Sequence, residues 1–112
     1  MPEKVGFEEW KNIDLRAGKI VGVEDIENAD NLFKLKADVG EDNPRVLVAA
    51  LKPYYTKEEL EGKRCVVFCN LEAKVLKGIK SQGMVLAAVN EDKSKVRLIQ
   101  PDDEVELGSS IE

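Results

Sequence analysis

The stretch Ile13-Asp-Leu-Arg-Ala-Gly-Lys-Ile-Val-Gly-Val-Glu-Asp-Ile26 decides how the rest of the chain folds. Ile13, Leu15 and Ala17 alternate with polar residues, the period of two of a strand with one buried face. Gly18 and Gly22 interrupt the run, and a glycine inside a strand marks a bulge or bend. The stretch predicts a long first strand that curls and serves two neighbours. Working outward, Asn28–Asn31 reads as a turn, and Leu32–Val39 as a second alternating strand through Leu35 and Ala37. Gly40–Pro44 is a turn cluster leading into a third strand, Val46–Leu51. Beyond Pro53, Thr56-Lys-Glu-Glu59 has the spacing of a capping box, so a short helix runs to Leu60 and Gly62 closes it. Cys65–Leu71, Gly83–Val89 and Val96–Ile99 are apolar runs that read as further strands.

Three strands, a helix and then further strands is the order of an OB-fold, a partly closed barrel. The expectation is an all-β, five-stranded Greek-key barrel with a short helix between strands 3 and 4. Residues 90–112 exceed a minimal barrel and form a carboxyl-terminal extension. No repeat, low-complexity tract or linker divides the 112 residues, so 1–112 reads as one domain.

Composition narrows the function. At 112 residues and 43% apolar the chain can build one core, not a two-domain enzyme. The formal charge of −5 argues against gripping polyanions by bulk charge, so any nucleic-acid site must be local. Histidine is absent, which removes Ser-His and Cys-His nucleophile pairs, His-ligated zinc and the commonest general base. Catalytic residues, a metal and a cofactor are therefore not expected. Cys65 and Cys69, four apart on a strand, would have α-carbons about 13 Å apart, too far for a disulfide, and read as core thiols. No apolar run is long enough to span a membrane, and Met-Pro-Glu-Lys-Val lacks the apolar block of a signal peptide, so a cytoplasmic protein is expected.

Charge is segregated along the chain. Lys63 to Met84 holds five basic residues, Lys63, Arg64, Lys74, Lys77 and Lys80, against the single acid Glu72, a net of plus four within a chain of minus five. From Leu71 to Met84 the chain reads as a loop with a lysine at every third position, where Gly78 and Gly83 let backbone amides approach phosphate and Ser81 and Gln82 offer donors. A solvated lysine loop is the plain alternative. A Ser81–lysine dyad would need a desolvated lysine, which nothing in the sequence supports. Among the aromatics only Tyr54 and Tyr55 read as free to stack on bases, too few for a stacking platform. Phe7 and Trp10, three apart, read as a helical turn that plugs the barrel or meets a partner subunit.

These residues carry a family resemblance over nearly the whole chain. Asp14-Leu15-Arg16-Ala17-Gly18-Lys19-Ile20, Ala29-Asp30-Asn31-Leu32-Phe33, Asp38-Val39-Gly40-Glu41, and Asn70-Leu71 through Lys74, Lys77-Gly78, Ser81 and Gly83-Met84 resemble the tRNA-binding domain appended to methionyl-tRNA synthetases. The same set is similar to free-standing tRNA-binding proteins and to a bacterial chaperone-like protein. The resemblance implies an OB-fold homodimer with the interface in residues 90–112. It also implies a non-catalytic module that binds tRNA by shape and phosphate contacts and assists a methionyl-tRNA synthetase catalytic domain in cis or as a subunit. The implied RNA-binding residues are Lys74, Lys77 and Lys80 on phosphates, with Asn70, Ser81, Gln82 and Met84 shaping the loop or adding contacts. Where the family has His-Pro, Glu27-Asn28 stands here, and where it has a basic residue and proline after Asn-Leu, Glu72-Ala73 stands here. Lys77 replaces an arginine, losing bidentate phosphate geometry. These departures imply weaker RNA binding. The other readings are a chaperone-like protein-binding dimer of the same fold and a pure dimerisation module.

Overall fold

The computed structural model describes residues 2–112. The elements in order are α1 (Phe7–Lys11), β1 (Leu15–Asp25), β2 (Phe33–Asp38), β3 (Arg45–Ala49), α2 (Lys57–Leu60), β4 (Arg64–Phe68), β5 (Lys74–Leu76), β6 (Ile79–Ser81), β7 (Met84–Val85), β8 (Ala87–Val89) and β9 (Val96–Leu98). One antiparallel sheet carries the fold in the order β3-β2-β1-β4-β7. It curls until its two ends meet. Gln82 N donates to Val46 O at 2.8 Å, which ties the segment entering β7 back to β3. The result is a nearly closed, all-β, OB-like barrel with α2 between β3 and β4, as the order of elements predicts.

β1 makes closure possible. Its amino-terminal half pairs with β4, from Leu15↔Phe68 to Lys19↔Arg64, and its carboxyl-terminal half with β2, from Lys19↔Asp38 to Asp25↔Phe33. The register shifts between Ile20 and Gly22, so Val21 is an extra residue and the strand bends there. Burial follows the bends: Leu15 and Ala17, then Gly18 and Ile20, then Val23 point inward. Ile20, Leu35, Leu47, Leu60 and Val67 form the fully buried centre. Thr56 caps α2 as its spacing predicts, with Thr56 Oγ1 accepting from Glu59 N at 3.2 Å and Thr56 N donating to Glu59 Oε1 at 2.8 Å.

Several expectations change. Leu71–Met84 is not an open loop, because it contains the β5–β6 hairpin. Gly83–Val89 is broken at Leu86, where β7 leaves β4 and β8 pairs with β9. Lys93-Ser94-Lys95 lies at the tip of that second hairpin. Tyr55 is buried and its hydroxyl accepts from Leu98 N at 3.0 Å, so it cannot stack on a base. α1 buries none of its residues, so Phe7 and Trp10 do not plug the barrel. Cys65 and Cys69 are free, buried thiols, and burial pushes Cys65 up to about 12.

Part of the extension folds onto its own barrel. Leu107–Ile111 lies along the free edge of β1: Gly108 N donates to Ala17 O at 2.8 Å, Ala17 N to Ser109 O at 2.9 Å, and Ile111 N to Leu15 O at 2.9 Å. An edge that would otherwise expose unpaired backbone groups is covered.

Candidate nucleic-acid interface

The basic segment is held at both ends by contacts with distant parts of the chain. At its start, Asn70 Oδ1 accepts from Asp14 N at 2.8 Å and its Nδ2 donates to Asn12 O at 2.6 Å, fixing the segment that precedes β1. At its end, Ser81 is buried, accepts from Val48 N at 3.1 Å and donates to Gly83 O at 3.0 Å. Gln82 Oε1 accepts from Val46 N at 2.9 Å. Arg45 joins the two ends: its Nη1 donates to Cys69 O at 2.6 Å and Gln82 O at 3.0 Å, while Nε and Nη2 hold Glu41. These bonds keep the Glu41 carboxyl below the usual carboxylate range and raise Arg45.

Between these anchors the hairpin projects. Lys77 (φ +51) and Gly78 (φ +78) form its tip, a two-residue turn with both residues left-handed, the twist that suits a tight hairpin. The register Lys74↔Ser81, Val75↔Lys80, Leu76↔Ile79 sets the faces. Side chains alternate along a strand, so Lys74, Leu76, Ile79 and Ser81 face the barrel while Val75 and Lys80 face away. The lysines at every third position are therefore split: Lys74 on the inner face, Lys80 on the outer, Lys77 at the tip. All three are exposed, and among the described residues none pairs with a carboxylate within 4.0 Å.

The other residues named from the sequence take different places. Asn70 and Ser81 have their polar groups engaged within the protein, as does the side-chain oxygen of the exposed Gln82, and a dyad of Ser81 with Lys80 is impossible because the two lie on opposite faces. Met84 is 44% exposed and lies in a concave surface under the hairpin with Val48, Leu76 and Lys74. Arg64 is taken by Glu104 at 2.8 Å. Sequence reasoning misses Arg45: its pair with Glu41 is local, but the two carbonyls through which it joins the ends of the hairpin lie 24 and 37 residues away. No group of three or more carboxylate or cysteine side chains that could hold a metal occurs among the described residues.

A small, nearly closed β-barrel that projects a lysine-bearing hairpin anchored at both ends has the architecture of the OB class. Similarity to known proteins specifies it further. Residues 15–110 match the tRNA binding domain family, and the chain belongs to it. It is 51% identical over 109 residues to the methionine–tRNA ligase of Thermococcus kodakarensis, and 52% over 107 residues to that of Pyrococcus furiosus. Those matches cover 97% and 96% of this chain but 14% of each relative, so the chain spans about a seventh of their length. Among solved structures it is similar to a MetRS related protein from Pyrococcus horikoshii (TM-score 0.90, 33% identity, 98% of this chain and 99% of that one). It is also similar to the chaperone CsaA of Bacillus anthracis (TM-score 0.87, 30% identity, 98% and 100%).

Proposed function

We propose that this chain is a non-catalytic tRNA-binding and dimerisation module that assists methionyl-tRNA synthetase, with aminoacylation carried out by a catalytic domain in cis or by a separate subunit. The observation that carries the reading is the clamped hairpin, which holds three exposed lysines, none paired with a carboxylate among the described residues, on a ribbon anchored at both ends. Its two faces and tip can meet phosphates on either side of an RNA groove or corner, so it reads shape and backbone rather than base sequence. Lys74, Lys77 and Lys80 make those contacts. Asn70, Ser81 and Gln82 act through the hairpin's position, and Met84 lines the surface beneath it.

The dimer contact is better placed at the amino terminus than across the whole of residues 90–112. Phe7 (71% exposed), Trp10, Ile13 and Ile111 line a cleft of about 520 Å³ whose rim carries Lys11, Ser110 and Glu112. A second copy would cover this patch by two-fold symmetry. Two such hairpins on one dimer make the second tRNA contact intramolecular, so individually weak sites can hold one RNA.

A tRNA titration at several salt concentrations, with mass measured by light scattering on the same sample, tests both parts. A dimer with a log–log salt slope of about −2 to −4 supports the reading, and Lys77→Glu/Lys80→Glu should abolish retention while leaving the dimer intact. A dimer that ignores tRNA at low salt overturns it. The second reading, a chaperone-like protein-binding dimer, is favoured by the apolar surface beneath the hairpin and would survive the same double substitution.

A further inference from the structure

The β5–β6 hairpin leaves the barrel and returns to it through two backbone points, Cys69 just after β4 and Gln82 just before β7. The pairs Val67↔Val85 and Phe68↔Met84 bring these points side by side. Beyond that ladder the two ends are tied to different elements, Asn70 to the segment before β1, and Ser81 and Gln82 to β3. Among the described residues, one side chain bonds to both points. Arg45 Nη1 donates to Cys69 O at 2.6 Å and to Gln82 O at 3.0 Å, while Nε and Nη2, on another edge of the same planar group, donate to the two oxygens of Glu41 at 2.7 and 2.9 Å. These bonds occupy four of the five guanidinium N–H donors. The Arg45 side chain is 24% exposed, so little of it is left for a ligand.

We infer that Arg45 is a positioning residue for the RNA contact: its guanidinium fixes the angle at which the hairpin stands on the barrel, and Glu41 locks the guanidinium in that pose. The inference rests on the tRNA-binding reading above. Angle matters most at the tip. Lys77 and Gly78 stand roughly three residues, or about 10 Å, beyond Ser81, so a turn of about 15–20° at the base moves the tip by about 3 Å, the length of a hydrogen bond. A planar fork suits this role, because it presents donors in fixed directions to two carbonyls and a carboxylate at once, whereas a lysine ammonium is a point charge on a flexible stem. Glu41 supports the same reading. A carboxylate at the base of an anion-binding ribbon opposes the anion by its charge; what it contributes is the direction of Arg45.

The test titrates a tRNA transcript at several salt concentrations with the full chain and its variants, each checked for folding by circular dichroism. Glu41→Gln decides by sign. It removes a negative charge, so tRNA binds more tightly if Arg45 and Glu41 act through charge alone. If they act through position, a neutral amide holds the guanidinium less firmly and affinity falls about two- to threefold. Arg45→Lys keeps the charge and loses the fork, and affinity should fall about fivefold or more with an unchanged salt slope. Lys77→Asn removes the tip charge with a residue that suits the left-handed turn; it should cost less affinity in the Arg45→Lys background than in the native chain, because a misdirected tip has less to lose. If Glu41→Gln binds as well as the native chain or better, or if the Arg45→Lys and Lys77→Asn losses simply add, the inference falls while the tRNA-binding reading stands. If Arg45→Lys does not fold, the sign of the Glu41→Gln effect alone decides. If the native chain does not bind tRNA at low salt, both fall.

Discussion

Gly40 and Gly108 pack against each other where the carboxyl-terminal strap crosses the turn after β2, and each excludes a side chain. A Cβ on Gly40 (φ +81) would lie 2.5 Å from Leu107 O, and one on Gly108 (φ +91) would lie 2.6 Å from Val39 O. Neither clash can be relieved by rotating a side chain, because both neighbours are backbone carbonyls. The strap must move. It is held to β1 by three backbone hydrogen bonds, worth together about 1.5–4.5 kcal/mol at ~0.5–1.5 kcal/mol each. That hold caps the cost of Gly108→Ala, since a detached strap no longer strains its own residue. Gly40→Ala adds the left-handed penalty of ~1–2 kcal/mol in a turn that stays in place. Because both substitutions act by releasing the same strap, the double variant should cost about as much as Gly40→Ala alone, well short of the sum. Gly62 supplies the control: at φ +82, and with no atom within 4 Å of the place a Cβ would take, Gly62→Ala should show only the ~1–2 kcal/mol backbone penalty. Urea unfolding reads the stability, with the midpoint of Gly40→Ala falling on the order of 1 M. Hydrogen exchange at the Ala17 amide reads the strap. Additive losses in the double variant, or an Ala17 amide that keeps its protection while the midpoint falls, would refute the reasoning.

Three other outcomes are expected. Thr56→Ala removes the acceptor for Glu59 N at the start of α2 and should lower stability by about 1 kcal/mol in the same urea assay. Hydrogen bonds from Arg45 to Glu41, from Lys57 and Lys52 to Asp25, and from Thr56 to Glu59 hold these three carboxyls below their ordinary values. Their folded pKa values lie below the unfolded ones, so their contribution is present above about pH 4 and is lost as pH falls through the folded values; thermal midpoints should drop on the acid side, less steeply in Glu41→Gln. Cys65, pushed up to about 12 by burial, should resist a thiol reagent at pH 8 in the native protein and react once urea unfolds it, whereas rapid native labelling would contradict its burial.

Much of the barrel was legible because its signals are local. The alternation from Ile13 to Ala17, the glycines that bend β1, and the Thr56–Glu59 box each act within a few residues, and the order of strands and helix follows from them. The hairpin within the basic segment was not legible. Its turn is Lys77-Gly78, and lysine at a left-handed position hides the signal that Asn-Gly or Asp-Gly would give. Without the hairpin, three lysines at every third position look like one cationic loop; with it, the period of two sends Lys74 and Lys80 to opposite faces.

The sequence by itself determined an all-β chain with an OB order of elements, a helix with its cap, core thiols at Cys65 and Cys69, and a basic segment set in an acidic chain. Periodicity, capping and charge are properties of neighbouring residues. Tertiary structure alone decided that Ser81 and Gln82 would bond β3, that Arg45 would join the two ends of the hairpin, that Tyr55 would be buried against β9, and that the last residues would cover the edge of β1. Each of these is a hydrogen bond between groups tens of residues apart, and such partners are chosen by the closing of the barrel, which no local pattern encodes.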